Sequence, residues 1–287
     1  MNPIKNLTFY SSKLNADKHI LVVSDLHLDN KRNGWKNLKK ITTSSQIDYD
    51  NLDYICIPGD IVNDVNQLED KHFKTEVLDG LWSLTKKKPT IVSLGNHDQM
   101  TDEPNGKWKI GNFQLLIDTL QELPNFTVLR NNQLPIQKED LCFGSYSPHF
   151  LYYEGQHENK EMYRNGFYGN YQEFPEDTYN IFLTHEPQSI IYLSEEIGEC
   201  IQKNADLVIS GHMHNGLLPK ALHPYFENRG ILSPQMDFGP KFAQGEYKVG
   251  NTDFIINGPV NTRVETPILN AAYGPNASFV SLKTKVR

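Results

Sequence analysis

The side chains in this sequence that could bind metal ions or transfer protons fall in five short stretches, and each stretch follows an apolar run. Continuous apolar runs of this kind are typical of strands that are covered on both faces. Open α/β sheets build their sites at the ends of such strands. The sequence therefore predicts one site, assembled from five strand ends. The candidate ligands there are Asp25, His27, Asp60, Asn96, His185, His212 and His214.

These candidates combine carboxylate, imidazole and amide oxygen ligands. Such a mixture suits manganese, iron or zinc better than calcium or magnesium alone. None of the five stretches contains a cysteine, which argues against a structural zinc site. The ligands are too many for one ion and fit two, with a carboxylate such as Asp60 bridging ions about 3.5–4 Å apart.

The charge on such a centre favours a phosphate as substrate. Two divalent ions bring four positive charges, while Asp25, Asp60 and a bridging hydroxide cancel three of them. The remaining positive charge would attract a phosphate and stabilise the negative charge that grows on its oxygens during displacement. Bound metal also lowers the pKa of water toward about 7, which supplies hydroxide at neutral pH.

Each candidate has an ordinary structural explanation when it is taken alone. Asp25 could cap a helix, Asn96 tolerates a left-handed turn, and His185 could be a hydrogen-bonded core histidine. The functional interpretation is favoured because every candidate follows a predicted strand. Asn63 and Asp64 are predicted to start a helix rather than bind metal. The histidines predicted to be exposed or structural are His19, His72, His149, His157 and His223.

Strands and amphipathic helices alternate along the chain. Strands are predicted at 7–10, 20–24, 54–57, 90–94, 179–183 and 206–209. Three short strands at 126–129, 134–137 and 141–144 are predicted to form a meander. Strands at 254–256 and 279–282 are predicted to belong to a second sheet. Helices are predicted at 35–47, 68–84, 113–123 and 187–204, where apolar residues recur at helical spacing. The segment 215–249 is predicted to be mostly loop.

The length allows one large α/β domain or two small ones. Because no internal repeats or linkers are evident, we predict a single domain over residues 1–287, with 38% hydrophobic residues and a formal net charge of -7. That charge argues against a stable, sequence-blind nucleic-acid complex, which needs a basic surface. Cys56, Cys142 and Cys200 have no close spacing, and their odd number fits a reducing compartment. Cys56 is predicted to be a core residue. With neither a signal peptide nor a membrane span evident, we expect a cytoplasmic protein; its oligomeric state is left open.

A tyrosine-rich insert at about 145–177 interrupts the alternation of strands and helices. Connections of this length inside a compact domain are usually functional lids or disordered, and the aromatic content argues against disorder. We therefore hypothesise a lid or wall over the metal centre that sets substrate choice. The alternative is a peripheral flap or a dimer contact, and Arg164 within it is expected to be solvated rather than to bind phosphate.

The five stretches resemble, in content and order, the motifs of the calcineurin-like metallophosphoesterases. The matching motifs are Asp25-x-His27, Gly59-Asp60, Gly95-Asn96-His97-Asp98, an isolated His185 and Gly211-His212-x-His214. One motif would be weak evidence, whereas all five in order form a specific resemblance. The tail is similar to a bacterial branch with phosphodiesterase-like members, although Asn215 stands where that branch usually has a second glycine.

The resemblance implies a fold and a role for each motif residue. The implied fold is a four-layer α/β/β/α sandwich with two mixed β-sheets. One metal would be held by Asp25, His27, Asp60 and His214, and the other by Asp60, Asn96, His185 and His212. His97 would be the general acid near the leaving oxygen, and Asp98 would orient it.

The expected activity is that of a metal-dependent phosphoric ester hydrolase. A metal-bound hydroxide would attack a small organic phosphate, either a monoester or a diester. Two alternatives use the same fold: a non-catalytic binding scaffold and a nuclease. The intact His97 and the complete ligand set argue against the scaffold. The negative net charge of the chain argues against the nuclease.

Overall fold

The structure is a computed structural model of the chain. It describes residues 3–30, 33–103, 107–154, 160–171, 173–187, 201, 204–234, 237–262 and 275–285. No helix within these residues is long and apolar enough to cross a membrane.

One six-stranded sheet is built from both ends of the chain. Its strands are β1 (Ile4–Ser11), β2 (Lys18–Val22), β3 (Tyr54–Pro58), β4 (Thr90–Ser93), β7 (Phe126–Val128) and β14 (Ala277–Thr284). They lie in the order β1-β14-β2-β3-β4-β7. The pairs from β2 to β7 are parallel, and β14 pairs antiparallel with β2, so this first sheet is mixed.

The second six-stranded sheet comes from the latter half of the chain. Its strands are β8 (Ile136–Lys138), β9 (Leu141–Ser145), β10 (Tyr179–Leu183), β11 (Leu207–Ser210), β12 (Gly245–Val249) and β13 (Thr252–Ile256). They lie in the order β12-β13-β11-β10-β9-β8. The central pairs are parallel and both outer pairs antiparallel, so this sheet is also mixed.

A small hairpin and several helices complete the described structure. The hairpin pairs β5 (Met100–Asp102) with β6 (Trp108–Ile110). The helices are α1 (Asn33–Thr42), α2 (Lys71–Thr85), α3 (Phe113–Gln121), α4 (Phe150–Glu154), α5 (Lys160–Asn170) and α6 (His223–Phe226). α2 begins where the Asp70 carboxylate accepts from the backbone N–H groups of His72 and Phe73, which satisfies two otherwise unpaired donors.

Alternate residues of the first sheet enter two different cores. In β2, Leu21 packs toward α1–α3, whereas Ile20 and Val22 pack between the sheets. In β3, Ile55 packs toward the helices and Cys56 between the sheets. This alternation follows from the two-residue side-chain period of a strand. The prediction that Cys56 is a core residue is thus confirmed.

The outer face of the second sheet is covered by aromatic side chains. Phe182 of β10 and Phe254 of β13 pack there against Tyr163 and Phe167 of α5. The layers are therefore helices, first sheet, second sheet and helices. The predicted four-layer α/β/β/α sandwich with two mixed sheets is confirmed.

Two predictions about strands were wrong. β7 and β8 do not belong to one meander, because β7 joins the first sheet and β8 the second. β14 completes the first sheet rather than a second one. The segment predicted to be mostly loop, 215–249, also contains the short strand β12. Local periodicity indicates a strand but carries no information about its partner, which is often distant in sequence. Most of the helix predicted at 187–204 lies outside the described residues.

Candidate metal centre

All seven predicted ligands lie just beyond the carboxyl ends of central parallel strands. Asp25 and His27 follow β2, Asp60 follows β3, and Asn96 follows β4. His185 follows β10, and His212 and His214 follow β11. Parallel neighbours present their carboxyl ends at the same sheet edge, and the two sheets meet there. The fold therefore brings together residues that are far apart in sequence.

Asp25, His27 and His214 form one cluster. His27 Nε2 lies 3.2 Å from His214 Nε2, and His214 Nε2 lies 3.4 Å from Asp25 Oδ1. These ligand atoms all lie within 4.8 Å of one another. Asp25 and His27 are buried, and the His214 side chain is 14% exposed. The cluster has the ligand types and spacing of a metal site that opens to solvent on one side.

Asp60 connects this cluster to a second one. Its Oδ2 lies 3.6 Å from His27 Nε2 and 3.1 Å from His185 Nε2. Asp60, His185 and Asp25 also have ligand atoms within 4.8 Å of one another. Asn96 and His212 line the same cleft as Asp60. Asp60 therefore occupies the position from which one carboxylate could contact two ions.

Two buried ligand atoms show that the site fits metal ions. His185 Nδ1 donates to the carbonyl oxygen of Pro58 at 2.7 Å, so Nε2 is the ring nitrogen that faces Asp60 and would bind an ion. Among the described residues, neither His185 Nε2 nor Asn96 Oδ1 has a hydrogen-bond partner, and both are buried. The contact of His185 Nε2 with Asp60 is short but lacks hydrogen-bond geometry. Buried polar atoms in this state are costly unless a bound ion or water satisfies them.

The carboxylates create a strongly negative field at the centre. Burial alone would raise the pKa of Asp60, but the imidazoles of His185, His97 and His27 hold that pKa well below its usual range. Burial opposes charge on His185 as well, yet Asp60 and Asp25 raise its pKa to about 10. This part of the site therefore favours positive charge, as a cation site must.

His212 lies in a different electrostatic environment. Burial, followed by the nearby His185, holds the pKa of His212 well below its usual range. A neutral imidazole is the form that binds a metal ion. The backbone N–H of His212 also donates to both carboxylate oxygens of Asp25, at 3.1 and 3.2 Å.

Five of the seven candidate ligands have left-handed backbone conformations. Their φ angles lie between 43° and 66°, a region that residues other than glycine seldom adopt. Each such residue stores about 1–3 kcal/mol of strain, which persists where the surroundings impose it. These residues are Asp25, His27, Asp60, His212 and His214.

Two glycines allow the ligand loops to approach one another. A Cβ at Gly95 would lie 2.6 Å from the backbone nitrogen of Asp60. A Cβ at Gly211 would lie 2.5 Å from Asp25 Oδ2. Real Cβ atoms essentially never come so close to other atoms. Both positions therefore require glycine, because any side chain would displace a candidate ligand.

His97 lies beside the ligand clusters. Its ring centroid is 4.8 Å from that of His27, and its backbone N–H donates to Asp60 Oδ1 at 2.9 Å. His97 Nδ1 lies 2.9 Å from the carbonyl oxygen of Asn63 and donates to it. The carbonyl of Asn63 therefore orients this ring.

Asp98 has a different role from the one expected of it. Its carboxylate accepts from the backbone N–H groups of Gly95, Asp60, Ile61 and Val62 at 2.8–3.2 Å. It therefore ties the loop after β4 to the loop after β3, instead of orienting the His97 ring. Burial and the neighbouring Asp60 raise the pKa of Asp98 to about 7, against the opposing effect of these N–H donors.

Four of the candidate ligands, Asp60, Asn96, His212 and His214, line a cleft of about 440 Å³. Its walls include side chains that the sequence analysis did not identify. Trp108, on the β5–β6 hairpin, meets His97 edge-on with ring centroids 4.9 Å apart. Nothing in the local sequence around Trp108 signals a site, because the hairpin alone brings it there. The other newly identified wall residues are Met100, Leu217, Pro234 and Thr262.

The tyrosine-rich insert at 145–177 is mainly a structural layer. Tyr163 and Phe167 are buried on the outer face of the second sheet, away from the cleft. Removing a buried aromatic ring of this kind costs about 3–5 kcal/mol. Tyr153 lines the cleft, with its ring centroid 5.5 Å from that of His212. Within the described part of the insert, Tyr153 is the residue that contacts the metal centre. The prediction that the insert acts as a lid therefore stays a hypothesis, and it now concerns Tyr153.

Residues expected to be structural lie in ordinary places. Asp64 caps a short 3-10 helix, Val65–Glu69, as predicted. Arg164, His72 and His149 are exposed. His19 and His223 are half-buried, and His157 lies outside the described residues.

Comparison with solved structures finds distant likenesses. A dimetal phosphatase from Danio rerio has 11% identity and a TM-score of 0.48, covering 88% of this chain and 90% of that one. A purple acid phosphatase from yellow lupin seeds has 12% identity and a TM-score of 0.45, and the match covers 95% of this chain and 55% of that one. The NAD nucleotidase of Haemophilus influenzae has 13% identity and a TM-score of 0.41, and the match covers 85% of this chain and 45% of that one. These likenesses are too distant to indicate an activity.

Comparison with proteins of curated function finds no match. The family model described as calcineurin-like phosphoesterase, in contrast, matches residues 18–216. This span exceeds half of the 287 residues and contains every candidate ligand. The chain therefore belongs to the calcineurin-like phosphoesterase family.

Proposed function

We propose that this chain is a metal-dependent hydrolase that cleaves a phosphoester bond of a small organic phosphate, either a monoester or a diester. The observation that carries the proposal is a pair of buried ligand atoms, His185 Nε2 and Asn96 Oδ1. Neither has a hydrogen-bond partner among the described residues. Leaving such atoms unsatisfied costs free energy, and bound ions would remove that cost.

Two ions fit the arrangement of the ligands. Asp25, His27 and His214 would hold one ion, and Asn96, His185 and His212 the other. Asp60 would contact both, since its Oδ2 lies near His27 and His185 alike. The mixture of carboxylate, imidazole and amide suits manganese, iron or zinc.

When bound, the two ions would supply positive charge to the phosphate oxygens and lower the pKa of water. The chain's own residues would hold the geometry and move a proton. His97 is fixed through Nδ1 by the Asn63 carbonyl, so Nε2 is the nitrogen that can give a proton to the leaving oxygen. Asp98 would keep the two carboxylate-bearing loops in register through its backbone hydrogen bonds.

The size of the cleft supports a small substrate. Its volume of about 440 Å³ lies within the range of small-molecule sites, about 300–1,000 Å³. The net charge of -7 also disfavours an extended polyanion such as nucleic acid.

The test is elemental analysis of protein purified without chelator, followed by a panel of chromogenic phosphate mono- and diesters with added manganese. We expect two ions per chain and hydrolysis of at least one ester class. Two bound ions without hydrolysis of any ester would indicate a binding scaffold. Cleavage of oligonucleotides with no cleavage of small esters would indicate a nuclease.

A further inference from the structure

One wall of the metal cleft is formed by a hairpin that is held in place at both strands. β5 begins directly after the loop that carries Asn96 and His97, and Asp102 in β5 donates its backbone N–H to Asp64 at 3.1 Å. Gly111, directly after β6, donates its backbone N–H to the carbonyl of Gln99 at 2.8 Å. The hairpin is therefore attached directly to the loop that carries Asn96 and His97.

The hairpin presents apolar surface to the cleft beside His97. Trp108 is half-buried and lines the cleft, and its ring meets the ring of His97 at 88°. Met100 lines the same wall, and its sulfur accepts from Asn96 Nδ2 at 3.8 Å. A flat indole beside a mostly polar floor offers an apolar surface for a ring to pack on.

The position of Trp108 relative to His97 indicates which part of a substrate it would meet. On the proposed function, His97 gives its proton to the leaving oxygen. The group attached to that oxygen must then lie on the His97 side of the cleft, where Trp108 stands. Tyr153 lies beside His212 instead, on the side of the second proposed ion.

The lining also indicates the charge of that leaving group. None of the described residues that line the cleft is a lysine or an arginine. A leaving group with a further phosphate would need such a cation to pair with it. An uncharged leaving group needs none.

We infer that Trp108 determines specificity by stacking against a flat, uncharged ring carried by the leaving alcohol of the phosphoester. This inference rests on the proposed function. In the reaction, water adds its oxygen to phosphorus, the bond from phosphorus to the alcohol oxygen breaks, and that oxygen receives a proton from His97. The ring leaves as a neutral alcohol, and the proton lost by water restores the acid.

The experiment compares benzyl and cyclohexylmethyl phosphate esters, in the mono- or diester form that the manganese-loaded enzyme cleaves. Both leaving groups are alkyl alcohols of similar size and acidity, and only one carries a flat ring. We expect wild type to favour the benzyl ester through KM. W108L should raise KM for the benzyl ester by about three- to tenfold, with little change for the cyclohexylmethyl ester. W108F should restore most of the preference, since it keeps a ring.

Two controls separate stacking from general damage. W82L removes a tryptophan that lies on α2 and is 38% exposed, and it should leave both KM values unchanged. Calorimetric binding of benzylphosphonate and cyclohexylmethylphosphonate to the metal-loaded protein measures the preference without turnover. If W108L fails to fold, W108M supplies the variant without a ring for the same comparison.

The inference would be overturned if wild type bound the two phosphonates with equal affinity, or if W108L raised KM equally for both esters. The hydrolase proposal would stand in either case. Hydrolysis of neither ester, nor of any ester in the chromogenic panel, would overturn the proposed function itself. The two failures are therefore distinguishable.

Discussion

The loops after the first sheet and the loops after the second sheet contribute different chemistry to the metal centre. Those of the first sheet carry the carboxylates of Asp25 and Asp60 and the amide of Asn96, with one imidazole from His27. The candidate ligands of the second sheet are all imidazoles. Negative charge is thus concentrated in one half of the site.

The two sets of loops are also held differently. The first set is braced internally, because Asp98 accepts backbone N–H groups from the loops after β3 and β4. The loops of the second set are joined by a backbone hydrogen bond from Gly211 N–H to the carbonyl of His185. They also depend on the first set, since His212 donates its N–H to Asp25 and His185 donates Nδ1–H to Pro58. The difference suggests that changes in the first half disable the whole centre, whereas changes in the second half act on one ion.

The largest effect is expected from Asp60→Asn in the first half. The substitution removes the charge that two ions would share, so metal content and hydrolysis should be lost together, as elemental analysis and ester turnover would show. Asp64→Asn is the matched control, because Asp64 is a buried carboxylate in the same loop and accepts from the backbone N–H groups of Asn66 and Asp102. Two ions and normal turnover in the Asp60 variant would contradict the bridging role.

A smaller effect is expected from His97→Ala, which should keep both ions and lower the rate. General acid assistance is typically worth about 10²–10⁴-fold. The loss should be smaller for nitrophenyl esters, because their leaving groups need no proton. An equal loss of kcat for good and poor leaving groups would indicate that His97 positions substrate instead.

His214→Ala tests the second half of the site. His214 is the candidate ligand at the solvent-exposed side of its cluster, and its contacts are with Asp25 and His27. We expect the affinity of one ion to fall by at least about 10–100-fold, the loss typical of removing a residue that only supports a ligand, while the other ion stays bound. Excess manganese should restore turnover. Simultaneous loss of both ions in a metal titration would contradict the difference between the two halves.

Much of this arrangement could be predicted from sequence because parallel strands have a strong local signal. Continuous apolar runs indicated β2, β3, β4, β10 and β11, and the ligands follow those strands directly. The left-handed backbone of Asp25 and Asp60 has no such signal, because it arises from the packing of neighbouring loops. Two further features could not be predicted from sequence because they depend on long-range contacts. Asp98 accepts hydrogen bonds from distant backbone groups, and Trp108 reaches the cleft only through hairpin pairing.

The smallest effect is expected from Tyr153→Phe, on the second-sheet side of the cleft. The Tyr153 hydroxyl is buried and has no hydrogen-bond partner among the described residues. Burial, reinforced by Glu186, raises its pKa well above the usual range, so the hydroxyl stays neutral. Replacing an unpaired buried hydroxyl with a group of the same shape is nearly neutral for stability.

We therefore expect Tyr153→Phe to keep kcat/KM within about twofold for every ester, and its melting temperature unchanged or slightly higher. Tyr153→Leu keeps an apolar side chain but removes the ring that faces His212, and it separates the role of the ring from that of the hydroxyl. Steady-state kinetics on the same ester panel measures both variants. A loss of kcat in the phenylalanine variant would show that the hydroxyl acts on substrate, and the insert would then contribute chemistry to the second half as well as a wall.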